Sequence, residues 1–243
     1  GGTDEILSGQ HRYCLWLTDD NVEEASRIKE IRDAIESCRE YRMTAGQDAR
    51  RMVKKPHRFS RSTYQAVPAL HVGKVIGNRY AYVPATLRAA GFVSSDAAFT
   101  IYRPQGFELA IIASTLHKTW AEAVAGRLGN GVRYGTTVVY NTFPVPALTE
   151  KQKSDLTRCA EDILLTREAH FPATIADLYD PDNMPDDLKR AHERNDETPE
   201  RIYIGRRFRN DTERLEKLFD LYTKMTEGKD AKAKTPKKSK VKS

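Results

Sequence analysis

Hydrophobic and polar positions change their spacing along the chain, and each change predicts an element. Tyr13-Cys14-Leu15-Trp16-Leu17 is a short apolar run without period, which predicts a buried strand. Thr18 to Asn21 then offers helix N-cap residues. Ala25, Ile28, Ile31, Ile35 and Cys38 recur at helical spacing and predict an amphipathic helix to about Tyr41. Arg50, Lys54, Arg58 and Arg61 follow at near-helical spacing. Pro56 disfavours an α conformation at Lys55, so the basic residues are expected to continue onto a loop.

From Tyr64 to Arg103 the pattern becomes β-branched and aromatic runs between turn residues: Val67 to Val72, Lys74 to Ile76, Tyr80 to Val83 and Ala98 to Tyr102. Gly77-Asn78 between two runs reads as a tight hairpin. Leu109, Ile112, Leu116, Trp120, Val124 and Leu128 form a stripe that predicts one long half-buried helix over Phe107 to Leu128. Gly129-Asn130-Gly131 and a strand at Thr136 to Tyr140 complete this region.

Pro144 and Pro146 mark a boundary. Thr149-Glu150-Lys151-Gln152 is a capping box, opening a helix that carries Leu156, Cys159, Ala160, Ile163 and Leu164 on one side. Shorter helices are predicted at Ile175 to Tyr179 and Leu188 to Glu193, and a last one from Asp211 to Met225. The fold class is therefore α+β: a small mixed β domain with one long helix, followed by a C-terminal helical bundle. The expected divisions are a strand and linker helix (1–41), the β domain (42–148), the helical domain (149–227) and a disordered basic tail (228–243).

Charge sharpens this division. The chain carries 40 Lys+Arg against 34 Asp+Glu, a net +6. The last sixteen residues hold seven Lys and one Asp, so residues 1–227 are neutral as a whole. Within that body, 42–103 carries eleven basic residues against Asp48 and Asp96 only, between two acidic flanks. A dense cationic segment of this kind suits a polyanion.

Known catalytic patterns fail position by position. Asp180-Pro181-Asp182-Asn183 begins like a calcium loop but has Pro185 and Ala191 where Gly and Glu are needed, so Asp180 and Asp182 read as turn or capping residues. Gly126, Gly129, Gly131 and Gly135 follow a helix and lack the Lys-Ser/Thr pair of a phosphate loop. The six His have no metal-ligand spacing, and His117 reads as a hydrogen-bonded residue on a helix flank. Cys14, Cys38 and Cys159 are odd in number and without CxxC, and are expected as buried thiols. No apolar run is long enough to span a bilayer and the first residues lack signal-peptide character, so a cytoplasmic chain is expected, without membrane association.

What remains is a binding module. Arg50, Arg51, Lys54, Lys55, Arg58, Arg61 and Lys74 are candidate phosphate contacts, and Asn78, Arg79, Ser94, Ser95, Asn130 and Arg133 are candidate base readers near turns. For Arg133 a salt bridge or stacking on Tyr134 is the alternative role. For the whole chain the alternative is a protein-interaction module of a modification or defence complex, docking through its acidic helical third.

Several stretches carry a resemblance: HRYCLWL (11–17), NRYAYVPA (78–85), SSDAAFTIY (94–102), WAEAVAGRL (120–128), RYGTTVVYNTFPVP (133–146) and LYDPDNMPDDLKRAHERND (178–196). Together they resemble the C-terminal part of type IIL restriction-modification enzymes of the MmeI kind and related adenine-N6 DNA methyltransferases, over most of residues 5–225. The resemblance implies a target recognition domain that binds double-stranded DNA, braced by C-terminal helices and following a methyltransferase domain. The S-adenosylmethionine motif (FxGxG) and the Asn-Pro-Pro-Tyr/Phe motif of that chemistry do not occur here. The implied cofactor and partner domain therefore belong to a catalytic part outside this sequence, and no catalytic residue or metal is expected in it. The resemblance further implies that positions 129–131 read a base pair; Gly129 and Gly131 have no side chain to do so, so that base pair is expected to be read weakly or not at all unless Asn130 or Arg133 reaches it.

Overall fold

The computed structural model describes residues 3–9 and 13–233 and divides into two compact units, His11–Gln65 and the remainder. His11 and Arg12 of the HRYCLWL stretch and residues 234–243 of the basic tail lie outside the described residues.

The smaller unit holds α2 (Val22–Ala25), α3 (Lys29–Thr44) and α4 (Gln47–Arg50), with α1 (Thr3–Ser8) belonging to the larger unit. The helix predicted to run to Tyr41 is thus two, broken at Ser26–Ile28, where Ile28 is extended and serves as the N-cap of α3. Tyr13 to Leu17 is not a strand: it pairs with nothing among the described residues, and Tyr13 is 95% exposed. Trp16 instead packs on Phe59 and Tyr64, with ring centroids 5.4 and 5.0 Å apart. α4 ends at Arg50, before Pro56 can act, and the basic stretch continues as turns. Cys14 is exposed and Cys38 and Cys159 are half-buried, so the expectation of buried thiols does not hold.

The larger unit is built on two three-stranded antiparallel sheets. The first has the order β3-β1-β4, with β1 at Ala69–Gly73, β3 at Ala85–Arg88 and β4 at Ala98–Tyr102. In its register Leu70 faces Leu87 and Ile101, and Val72 faces Ala85 and Phe99. The second has the order β2-β6-β5, from Val75–Ile76, Gly131–Arg133 and Arg127–Leu128. No strand forms at Tyr80 to Val83; Tyr82 and Val83 are buried in the core outside any sheet. Since β2 pairs with β6, Gly77-Asn78 is a turn and not the tip of a hairpin.

The predicted long helix is also two, α5 (Gly106–Ile112) and α6 (Thr115–Val124). Ser114 stops one and caps the other: its backbone is extended and its hydroxyl accepts from the His117 N–H. The apolar stripe continues across the break because Leu109, Ile112, Leu116 and Trp120 all reach the same core. Thr136–Tyr140 forms a turn of π-helix, with only Val139 fully buried.

The C-terminal part packs α7 (Glu150–Ala169), α8 (Ile175–Leu178), α9 (Asp186–Ile204) and α10 (Asp211–Ala233) around Leu156, Ile163, Leu188 and Leu218. The capping box at Thr149 and Gln152 forms as expected. The helix predicted at Leu188 to Glu193 continues to Ile204, and α10 runs past Met225 to Ala233, so the expected disorder beyond Glu227 does not hold for 228–233. Arg167 on α7 ties this bundle to the first sheet, donating to the Ala85 carbonyl at 2.9 Å and to the Tyr179 hydroxyl at 2.8 Å. Tyr179 in turn bonds the buried His192 at 2.6 Å.

Candidate nucleic-acid interface

The candidate phosphate contacts are distributed over both units. In the smaller unit the loop after α4 is shaped by Arg42, which projects from α3 and donates to the carbonyls of Met52, Lys55 and Arg58 at 3.1, 2.9 and 2.7 Å. One planar guanidinium closing three carbonyls fixes the path of a segment that has no strand or helix of its own. Asp19 supplies the second clamp, meeting Lys55 at 2.7 Å, His57 at 2.8 Å and Arg58 at 2.9 Å. Its hydrogen bonds from Lys55 and His57 hold the Asp19 carboxyl far below the usual carboxylate range.

Four of the six cations in this loop therefore already face a carboxylate: Lys55 and Arg58 on Asp19, Arg51 on Asp48 at 3.2 Å and Arg61 on Asp48 at 3.9 Å. Arg50 and Lys54 are exposed and make no ion pair among the described residues. Sequence spacing marked all six as equivalent. Asp19 and Arg42 lie far from them in sequence, so no local pattern identified either as a clamp.

In the larger unit Lys74 is exposed at the junction of the two sheets, where its backbone N–H donates to Ala97 at 3.0 Å and its carbonyl accepts from Tyr134 at 2.8 Å. The candidate base readers differ in how they are held. The Asn78 side-chain oxygen accepts from Arg127 at 2.9 Å, which ties the 77–80 turn to β5. Arg79 pairs with Asp180, and the hydrogen bond from Arg79 holds that carboxyl below its ordinary range. Asp180 also accepts from the Asp182 N–H, the turn role expected of it. Ser94 and Ser95 satisfy each other's loop: the Ser94 hydroxyl donates to the Ser95 carbonyl and the Ser95 hydroxyl accepts from Ala97.

Asn130 and Arg133 are different. Both are exposed, and their side chains make no hydrogen bond or ion pair among the described residues. They stand on the hairpin β5–β6, in which Arg127 faces Val132 and Leu128 faces Gly131. Gly129 at its tip has φ +58°, a backbone conformation that favours glycine. The alternative role of Arg133, a salt bridge or stacking on Tyr134, is not what the geometry gives: Tyr134 is buried on the opposite face and stacks on Phe99 at 5.8 Å. The sequence placed a helix end and a loop here, because two- and three-residue strands are too short to show an alternating pattern.

Among the described residues no cluster of His, Cys, Asp or Glu is arranged to hold a metal ion, and no helix is long and apolar enough to cross a membrane.

Known proteins match the chain in two consecutive parts. A family model described as the MmeI target recognition domain matches residues 1–147, and one described as the MmeI C-terminal domain matches residues 148–229. DNA methyltransferase A of Bacillus subtilis (strain 168) is 35% identical over 228 residues, covering 93% of this chain and 26% of that protein. A solved structure of the type IIL restriction-modification enzyme MmeI in complex with DNA superposes with a TM-score of 0.89 at 28% identity, covering 93% of this chain and 30% of that one. The chain thus spans less than a third of either protein it matches.

Proposed function

The chain belongs to the MmeI family as a target recognition domain followed by a C-terminal domain, and we propose that it reads the target sequence on duplex DNA for an adenine-N6 DNA methyltransferase. The observation that carries this reading is the β5–β6 hairpin, which presents Asn130 and Arg133 exposed and unpaired from a framework anchored on its other face. Asn and Arg are side chains that recognise adenine and guanine edges through paired hydrogen bonds. Arg50, Lys54 and Lys74, exposed and without a carboxylate partner among the described residues, supply phosphate contacts that set affinity without reading sequence.

Asn78, Arg79, Ser94 and Ser95 take a supporting part: each is engaged in a turn or an ion pair that shapes the loops beside the hairpin. Arg51, Lys55, Arg58 and Arg61 act as members of a clamped loop, where DNA phosphate competes with Asp19 and Asp48 for them.

Methyl transfer belongs to a catalytic part that holds S-adenosylmethionine, since neither motif of that chemistry is present in these 243 residues. The smaller unit is suited to meet that part of a cytoplasmic parent enzyme. Its α3 has no fully buried residue, and Tyr13, Leu15, Ile28, Tyr41 and Met43 expose large apolar surface.

The test is a salt titration of duplex binding by the full-length enzyme carrying this chain. Each phosphate contact contributes a slope of about −0.9 in log K against log salt. Lys54→Ala and Lys74→Ala are each expected to reduce the slope by about one contact on every sequence. Arg133→Ala is expected to relax the target at one position. Binding that ignores salt would overturn the reading in favour of a protein-docking module.

A further inference from the structure

The side chains of the candidate readers on the β5–β6 hairpin make no hydrogen bond or ion pair among the described residues, so the backbone beneath them fixes where they point. Side chains alternate along this segment: Val132 is buried, Arg133 is exposed and Tyr134 is buried. Tyr134 is 1% exposed, and its hydroxyl shares a 2.7 Å hydrogen bond with Nε2 of His117, itself 1% exposed on α6. His117 is held in turn: the α6 cap, Ser114, accepts from its backbone N–H, and its ring lies edge-on to Phe143 at 4.6 Å. The Tyr134 ring stacks on Phe99 in the same core. Both groups are neutral, because burial holds His117 at about 3 and raises the Tyr134 hydroxyl well above its ordinary value.

We propose that Tyr134 and His117 form a positioning pair, one buried bond that sets the register and tilt of the β5–β6 hairpin and so aims Arg133 and Asn130. The inference rests on the reading of the hairpin as the base-contacting element. It assigns a recognition role to two residues that never meet DNA. The sheet alone fixes the hairpin weakly, since β2 and β5 contribute two paired residues each. The Tyr134–His117 bond joins it directly to α6, and strand and helix cannot then slide past one another without leaving the buried Nε2 and hydroxyl unsatisfied.

The test compares Tyr134→Phe, which keeps the ring and its stacking on Phe99, with Arg133→Ala and wild type in the full-length enzyme. The readout is the ratio of methylation on a duplex bearing the target to methylation on duplexes with single mismatches. That ratio is unaffected by the fraction of enzyme that is folded. Arg133→Ala is expected to lower it at one position. Tyr134→Phe is expected to lower it by about tenfold at the same position, the scale of one misdirected base contact, with methylation of the target itself changed much less. His117→Leu, which removes the bond from its other side, should reproduce the effect, and the double variant should be no worse than either single one. If Arg133→Ala lowers the ratio and Tyr134→Phe leaves it unchanged, the positioning pair is refuted while the hairpin reading stands. If Arg133→Ala and Asn130→Ala both leave it unchanged, the hairpin is not the reader and the pair has nothing to aim.

Discussion

The guanidinium of Arg79 lies 2.5 Å from the carboxylate of Asp180, joining the turn after β2 to the segment between α8 and α9. An arginine in a basic, turn-rich region is the residue a sequence would assign to DNA, and an aspartate in a Pro-Asp-Asn stretch the residue it would assign to a turn. Their meeting means that one candidate base reader is engaged by the C-terminal domain. Asp180→Asn releases it. Arg79 is 56% exposed and Asp180 25% exposed, so the pair lies at the surface and the fold should be little affected. Duplex affinity of the full-length enzyme is expected to rise at low salt, with a log–log slope steeper by up to ~0.9 as one more cation becomes available to phosphate. Equilibrium binding at several salt concentrations measures it; an unchanged slope would make Arg79 a purely structural tie.

Arg42 predicts a second effect. Its fork of donors closes the carbonyls of Met52, Lys55 and Arg58, and a lysine at this place has a single point of attachment. Arg42→Lys is expected to leave α3 helical while the amides from Met52 to Arg58 exchange with solvent faster, by about tenfold for a loss of ~1.4 kcal/mol in local opening. Hydrogen exchange resolved by peptide reads both regions in one experiment. Equal acceleration in α3 and the loop would show that the substitution loosened the whole unit instead.

The capping box at Thr149 and Gln152 was legible because the forces involved act within four residues. The α+β division was legible because core positions repeat with a period. The break between α5 and α6 was hidden, since Ser114 interrupts the backbone without interrupting the stripe that faces the core. At the candidate site, charge marked a basic segment but could not tell Arg50 and Lys54 from Lys55 and Arg58, whose carboxylate partner Asp19 is more than thirty residues away. Tyr13 to Leu17 failed for a different reason: an apolar run says that a segment is suited to burial, and carries no information on whether its partner is within this chain.

Buried titratable groups give a pH dependence with a definite sign. Burial lowers His117 and His192 to about 3, so the folded chain prefers them neutral. Their contribution is complete above the ordinary histidine value of about 6.5 and is lost as pH falls from there towards 3. Burial raises Asp196 to about 6, despite its bonds from Thr115 at 2.6 and 2.7 Å, so this group works oppositely and favours the fold as pH falls through 6 towards its ordinary value. At pH 5 the two histidines together cost roughly 4 kcal/mol and Asp196 returns roughly 1.4, from about 1.36 kcal/mol per pH unit. A net loss of ~2–3 kcal/mol between pH 7 and pH 5 is expected in urea unfolding, with His192→Gln removing about half of the histidine part. Stability that is flat or rises over this interval would contradict the burial of both imidazoles.

The two glycines that flank Asn130 predict opposite outcomes for any attempt to change what the hairpin reads. A Cβ on Gly129 would meet nothing within 4 Å, and its φ of +58° is a conformation that asparagine tolerates among side-chain-bearing residues. Gly129→Asn is therefore expected to cost ~1 kcal/mol or less and to place a new donor and acceptor beside Asn130. A Cβ on Gly131 would lie 2.8 Å from Cγ1 of Val75 and 3.1 Å from the Ile76 carbonyl, inside the β2–β6 pairing. Gly131→Arg must displace that strand, at a cost of roughly 1–3 kcal/mol, and with it the backbone that carries Arg133. Thermal unfolding together with sequencing of methylated sites separates the two cases. Gly129→Asn should melt within about 4 °C of wild type and alter preference at one position, whereas Gly131→Arg should melt earlier than Gly129→Asn and lose discrimination. Equal melting temperatures for both would mean that β2 yields without cost, and that the closeness of Gly131 to Val75 places no limit on which residues this hairpin can carry.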